Sequence, residues 1–225
     1  MMSARLLIIA LIPFAFVSAH AQENVIVQKQ PTVLSENSSE ANRLGKKVVI
    51  GAQVLGMGLL GASGQGLALG YHFDRNTVAQ LEFFSGVRKN NLDSIFDNYE
   101  AKVNSLSLHV KKFLANSFYV KGGIDYSTVK YNNKYIFTSS ANKDAYGFEG
   151  NMVSASILIG NQWQWENFTL GCDWVGITLP ISNQVTSEFS DTTVASNARY
   201  NKEDQEALLK NGTGQALRFY IGATF

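Results

Sequence analysis

Residues 102–113, KVNSLSLHVKKF, and residues 118–130, FYVKGGIDYSTVK, decide the fold class of this chain. In the first segment Leu106, Leu108 and Val110 alternate with serine, histidine and lysine, so one face is apolar and the other polar and charged. This period of two is typical of a β-strand, because successive side chains point to opposite faces of a sheet. The two segments are joined by the short sequence LANS, and each has the length that a tilted strand needs to cross a bilayer. They predict an antiparallel membrane-spanning hairpin.

The same alternation recurs along the chain and gives eight predicted strands. They cover residues 46–57, 65–73, 78–88, 102–113, 118–130, 150–163, 168–178 and 215–225. Tight connections at 74–77, 114–117 and 164–167 alternate with long ones at 89–101, 131–149 and 179–214. Short turns on one side and long loops on the other are typical of bacterial outer-membrane barrels, whose short turns are periplasmic. The sequence therefore predicts an all-β, eight-stranded antiparallel up-and-down transmembrane β-barrel over residues 46–225.

The N-terminal residues have the pattern of an export signal. Residues 1–21 contain Arg5, an apolar run over residues 6–17 and the small-residue motif Ala19-His20-Ala21. This pattern predicts a signal peptide that is cleaved before Gln22, and with it a location in the cell outer membrane. Residues 22–45 are polar and show little periodicity, so we expect a flexible periplasmic segment there.

Composition excludes several classes of function. Charged residues make up 16% of the 225-residue chain, against about 25% in soluble domains. The 19 basic and 18 acidic residues nearly cancel, so no nucleic-acid partner is indicated. Cys172 is the one cysteine, and no CxxC or HExxH motif is present, so we expect no catalytic residue, cofactor or metal site. The GxGxxG match at residues 56–61 is followed by another alternating segment rather than a helix, which favours a tight outer turn.

The charged residues on the predicted strands are expected to point into the barrel. A charge on the lipid-facing side near the middle of the membrane costs about 2–4 kcal/mol. An eight-stranded barrel is just filled by its side chains, so charges there must be paired. We expect acids to face bases within this lumen charge network. Its predicted members are Glu82, Arg88, His109, Lys111, Lys121, Asp125, Asp173 and Arg218.

The last eleven residues, QALRFYIGATF, carry a family resemblance. Apolar side chains at every second position and a terminal phenylalanine resemble the C-terminal signal that the barrel assembly machinery recognises. The positions are Leu217, Phe219, Ile221, Ala223 and Phe225. Ala223 stands where related proteins often have an aromatic residue. With the eight strands, residues 46–225 resemble the small OmpA/OmpX/OmpW-type barrels. The resemblance implies a monomer surrounded by outer-membrane lipid and lipopolysaccharide, with no periplasmic domain.

Three functional hypotheses follow from these predictions, and a fourth alternative is a soluble lipocalin-like barrel, which would need its apolar faces inward and its charges outward. The first is a structural or surface-interaction barrel with a plugged lumen, which acts on an unidentified surface partner through long extracellular loops. The second is a narrow pore or a lateral port for small solutes, indicated by Ile95, Phe96, Ile136 and Phe137 in two of the loops. The third is a lipid-modifying enzyme that uses His109 with a serine of the same strand face, Ser105 or Ser107.

The loop before the last strand contains a predicted helix. Residues 201–212, NKEDQEALLKNG, begin with an N-cap residue, carry acids in the first turn and end at glycine. Leu208 and Leu209 would let this helix pack over the mouth of the barrel. It is the segment in which we expect a lid or an adhesive surface.

Overall fold

The chain forms one closed β-barrel. The computed structural model describes residues 38–91, 98–135, 143–190, 207 and 209–225. Within these residues eight antiparallel strands pair in sequence order, and the eighth pairs with the first. They are β1 (Val48–Met57), β2 (Ser63–Asp74), β3 (Thr77–Asn91), β4 (Asn98–Phe113), β5 (Phe118–Tyr135), β6 (Lys143–Trp165), β7 (Phe168–Ser190) and β8 (Thr213–Thr224). The predicted fold class is confirmed.

Several strands extend further on the long-loop side than the sequence predicts. Strands β6 and β7 contain 23 residues each, so parts of the predicted loops 131–149 and 179–214 are strand. The predicted strands end too early because lipid imposes the apolar alternation, and this alternation is lost where both faces of a hairpin meet water. The backbone ladder needs no such pattern and continues. The predicted loop residues 92–97, 136–142, 191–206 and 208, including Ile95, Phe96, Ile136, Phe137, Asn201 and Leu208, lie outside the described residues.

The outside of the barrel is apolar over a height that matches a membrane. On β4, Leu106, Leu108 and Val110 point outward and are 49%, 61% and 50% exposed. Exposed Lys112 lies on the same face below them, and exposed Asn104 and Lys102 lie on it above them. Ten residues of tilted strand separate the two lysines, a rise of roughly 25 Å, which is the height of the apolar band of outer-membrane barrels. We call this band the apolar belt. It also includes Leu69, Leu81, Phe83, Ile124, Tyr126, Ile157, Ile177 and Ile221.

A bulge in β7 reverses which residues face outward. Gly160 pairs with Asp173 and Ile159 with Val175, so Trp174 is the extra residue on the β7 side of the ladder. Trp174 and Val175 are both exposed, at 39% and 50%, and Ile177 follows on the outer face. A bulge adds one residue to one strand and therefore shifts the alternation by one position. Uninterrupted alternation from the sequence would have put Gly176 on the outside.

The chain just before the barrel differs from the prediction. The predicted signal peptide and residues 22–37 of the predicted flexible segment lie outside the described residues, and in the remainder of that segment, residues 38–45, a short helix forms, α1 (Ser39–Asn42). Ser38 caps it, because its hydroxyl accepts a hydrogen bond from the Ala41 amide at 3.1 Å. Among the described residues, no helix has the length and apolarity needed to cross a membrane.

Candidate functional site: a lumen filled at three levels

The middle of the lumen contains a ring of two acids and two bases. Lys121 Nζ lies 2.9 Å from Glu82 Oε1 and 2.8 Å from Asp173 Oδ2. Arg218 Nη2 lies 2.9 Å from Glu82 Oε2, and its Nε lies 3.7 Å from Asp173 Oδ2. The four residues come from β3, β5, β7 and β8, and each is at most 8% exposed. Each buried charge therefore has two opposite charges beside it, as burial requires.

His109 joins Asp125 to this ring. Its Nε2 lies 2.9 Å from Ser156 Oγ and 3.1 Å from Asp125 Oδ1, and its Nδ1 lies 3.5 Å from Glu82 Oε2. His109 is 1% exposed and faces the lumen. The serine beside it is on β6, whereas the sequence pointed to Ser105 and Ser107 on its own strand. A residue two positions away on a strand shares the face, whereas Ser156 lies two strands along the wall, in the row His109–Gly123–Ser156 that the strand register sets.

Lys111 differs from the prediction that sets it against an acid. In the described part of the chain it forms no ion pair. Its Nζ donates to Gln162 Oε1 at 2.9 Å and to the Tyr220 hydroxyl at 3.1 Å. It also lies 4.4 Å from the centre of the Tyr119 ring and 4.8 Å from that of Tyr220. Aromatic faces and an amide oxygen stabilise this buried cation in place of a carboxylate.

Arg88 is placed away from the central ring, contrary to its inclusion in the predicted network. It is half-buried near the outer end of β3, and its Nη1 donates to the Leu60 carbonyl at 3.1 Å. Its position on the strand, rather than its charge, excludes it from the middle of the lumen.

Sequence reasoning missed Tyr119, whose hydroxyl donates to Asp173, and Tyr220, whose hydroxyl donates to Tyr119 at 3.2 Å. Both tyrosines stand at strand positions whose side chains point into the lumen, and this alternation could have indicated them from the sequence.

The end of the lumen at the tight turns is covered by α1. Asn42 Nδ2 donates to the Gln164 carbonyl, and Gln164 Nε2 donates back to the Asn42 carbonyl, both at 2.9 Å. The Glu40 amide donates to Asn116 Oδ1 at 2.8 Å, and Glu40 lies 3.2 Å from Arg75 Nε. The helix is thus attached to the turns β2–β3 and β4–β5 and to the end of β6.

Arg43 extends from the end of α1 into the barrel. Its Nε donates to the Arg75 carbonyl at 2.9 Å and its Nη1 to the Asn116 carbonyl at 2.8 Å. The guanidinium lies 3.7 Å from the centre of the Phe113 ring. Arg43 is 1% exposed, and burial lowers its pKa to about 10, although the nearby Glu40 carboxylate opposes this change. We call α1 and Arg43 the floor of the lumen.

The outer end of the lumen is apolar. The side chains of Phe148 and Tyr131 stack with ring centres 5.2 Å apart. Leu209, from the end of the predicted helix 201–212, is 1% exposed and belongs to the same cluster. It approaches the wall so closely that a Cβ at Gly150 would lie 2.7 Å from its Cδ1. We call this the outer apolar cluster, and it consists of Leu60, Ala62, Phe84, Ala101, Val103, Val129, Tyr131, Phe148, Met152 and Leu209.

Little open space is left beside the charged ring. A cavity of about 30 Å³ lies between the ring and the glycine-lined wall of β1, β2 and β8. A single water needs about 10–15 Å³ by the same kind of measure, so this cavity could hold only a water or two. In the described part of the chain no group of three or more His, Cys, Asp or Glu residues is arranged to hold a metal ion.

Comparisons with known proteins support the architecture. No protein-family model matches the chain, and no curated protein matches it. Among solved structures, it is similar to a major outer membrane protein of Thermus thermophilus, with a TM-score of 0.52 and 13% identity over 80% of this chain and 98% of that one. It also matches the attachment invasion locus protein Ail of Yersinia pestis, solved with a heparin analogue, with a TM-score of 0.43 and 12% identity over 80% of this chain and 97% of that one. Its match to Neisserial surface protein A has a TM-score of 0.40 and 12% identity over 80% of this chain and 96% of that one. The chain therefore has the fold of the small eight-stranded outer-membrane β-barrels.

Proposed function

We propose that this chain is an exported, integral protein of the outer membrane of a Gram-negative bacterium. Its closed barrel would serve a structural or surface-interaction role rather than transport. The apolar belt and the charged lumen support the membrane location, because a water-soluble barrel needs the opposite arrangement. Export would use residues 1–21 as a cleaved signal peptide, and the tight turns would face the periplasm.

The observation that carries this proposal is the filling of the lumen at three successive levels. The floor with Arg43, the ring around Glu82 and Lys121, and the outer apolar cluster with Leu209 each occupy the interior. A solute would have to separate all three to cross. A narrow pore needs a continuous polar path, and the outer apolar cluster interrupts it.

The outward-extended strands supply the surface for interaction. Beyond the apolar belt, β3 to β7 continue together as a five-stranded ribbon, in which Glu149 pairs with Lys130 and Ser187, and Phe148 with Tyr131 and Glu188. On β7 the exposed side chains of this ribbon are polar, namely Asn183, Gln184, Thr186, Ser187 and Glu188. We propose this ribbon as the part that meets a surface partner.

Two partners of the barrel itself belong to the same proposal. The predicted assembly signal lies on the outer face of β8, where Leu217, Ile221 and Phe225 are 50%, 43% and 60% exposed. This placement suits recognition by the barrel assembly machinery before the strand meets lipid. After insertion, lipid and lipopolysaccharide would surround the monomer.

We propose no catalytic role for His109, since a lipid-modifying residue must reach lipid and this one is buried in the lumen.

Recording in planar lipid bilayers tests the closed lumen. We expect no reproducible step-like currents from the full-length mature protein or from Lys121→Ala, and we expect the substitution to reduce stability only. A sixteen-stranded porin reconstituted in parallel serves as the conducting control. Stable unitary currents whose conductance changes in Lys121→Ala would contradict the proposal and favour a narrow pore.

A further inference from the structure

Three lysines lie together on the lipid-facing side of the barrel, at the outer edge of the apolar belt. Lys89, Lys102 and Lys130 are on the consecutive strands β3, β4 and β5, and their side chains are 57–59% exposed. Lys102 is the outer of the two lysines that bracket the belt on β4. Each of the three therefore stands where the hydrocarbon ends and lipid headgroups begin.

The pairing of these lysines leaves an excess of positive charge within the group. Glu100 is shared between Lys89 and Lys102, at 3.4 and 3.5 Å, and Lys130 pairs with Glu149 at 2.6 Å. Two carboxylates thus serve three ammonium groups in the described part of the barrel. All of these pairs are exposed, and exposed pairs contribute little and exchange readily with other partners.

Lys102 and Lys130 are also direct neighbours across the β4–β5 ladder. Side chains opposite each other on adjacent strands have Cβ atoms about 4.5–5.5 Å apart, and like charges in that position destabilise a sheet. Lys102 pairs with Glu100 two positions further along its own strand, and Lys130 pairs with Glu149 on β6, so among the described residues no carboxylate pairs with both lysines. An anion placed there would contact both and offset their repulsion.

We propose that Lys89, Lys102 and Lys130 form a binding site for the phosphate group of a phosphorylated glycolipid of the outer leaflet. This inference rests on the outer-membrane location in the proposed function, and it names the lipid group that the barrel holds there. The acyl chains would lie along the apolar belt beside Leu106 and Tyr126, which are 49% and 48% exposed below the lysines. The headgroup phosphate would lie between Lys102 and Lys130.

Lipid binding to the full-length mature barrel in detergent micelles tests this site. The probes are bis-phosphorylated lipid A, the same lipid without phosphates, and inorganic phosphate. The variants are Lys102→Gln/Lys130→Gln, Lys102→Arg/Lys130→Arg, and a control with equal loss of charge, Lys46→Gln/Lys112→Gln, at the periplasmic end. Heat-modifiable gel mobility establishes that each variant is folded.

We expect the Lys102→Gln/Lys130→Gln variant to bind bis-phosphorylated lipid A at least about tenfold more weakly, because it loses two charge-assisted contacts. The arginine variant should retain binding and the periplasmic control should change it less than about twofold. Equal weakening in the periplasmic control, or equal affinity for the lipid without phosphates, would overturn the site. Competition by inorganic phosphate at the concentration of the lipid would also overturn it, since a free anion would then be the ligand. Channel recordings are independent of these outcomes, so a conducting barrel would refute the closed lumen without refuting this site.

Discussion

The middle and the outer end of the lumen are filled by different physical means. Around Glu82 and Lys121 the interior consists of ionised groups that neutralise each other at 2.8–3.7 Å. Around Phe148 and Leu209 it consists of apolar side chains, three of them supplied by connections rather than by strands of the wall: Leu60 and Ala62 before β2, and Leu209 before β8. Strands of the barrel wall supply every residue of the charged ring. The outer apolar cluster also needs residues from connecting segments, which cover it.

The difference shows what each filling specifies. Charges in a low-dielectric interior tolerate only arrangements in which every group has its partner, so they favour one register of the strands. Apolar groups accept many arrangements and gain free energy mainly by excluding water. The charged ring therefore accounts for the register of the strands, and the outer apolar cluster for closure of the mouth. Substitutions in the two regions should differ accordingly.

The largest effect is expected from Glu82→Ala. This change leaves Lys121 and Arg218 buried with one fewer carboxylate, and breaking a buried pair costs about 3–5 kcal/mol. Urea unfolding in phosphocholine vesicles measures the loss in free energy of unfolding. Glu149→Ala, which breaks an exposed pair with Lys130, should cost at most about 1 kcal/mol. Equal losses in the two variants would show that the ring is not the stabilising element of the lumen.

A somewhat smaller effect is expected from Leu209→Ala. Truncating a buried leucine costs about 2–4 kcal/mol through lost burial and the cavity left behind. The same unfolding assay applies, with Leu114→Ala as control, because Leu114 is 62% exposed in the tight turn between β4 and β5. The control should change stability by no more than about 0.5 kcal/mol. A Leu209→Ala variant as stable as the Leu114 variant would mean that the covering segment is not needed at the mouth.

The smallest of the three effects is expected at the floor. Arg43→Ala removes two hydrogen bonds to turn carbonyls and the contact with Phe113, which together contribute about 1–2 kcal/mol. Cleavage after Glu40 by a glutamate-specific protease should become faster as α1 detaches. Arg75→Ala, which removes only the exposed pair with Glu40, should leave the cleavage rate nearly unchanged. Protection that persists in Arg43→Ala would show that Asn42 and Gln164 hold the helix without it.

Some features of the molecule could be predicted from single segments. The apolar residues Leu106, Leu108 and Val110 indicated their outward face because lipid selects the same chemistry at every second position. The inward phase of Lys121, Asp125 and Asp173 followed from the same alternation. The floor was missed because its helix has only four residues, and its stability comes from contacts with tight turns and the end of β6, such as those of Arg43 with a residue 32 positions away and of Asn42 with one 122 positions away.

The sequence by itself determined the barrel, its strand order and which faces meet lipid, since these follow from a local period of two repeated eight times. Only the tertiary structure decided which charges meet, that Lys111 rests on two aromatic rings, and that Leu209 and Arg43 close the two ends. The physical reason is that alternation fixes the direction of a side chain from its own strand. The side chain that it meets across the lumen depends instead on the stagger of eight closed strands, and bulges such as the one at Trp174 alter that stagger.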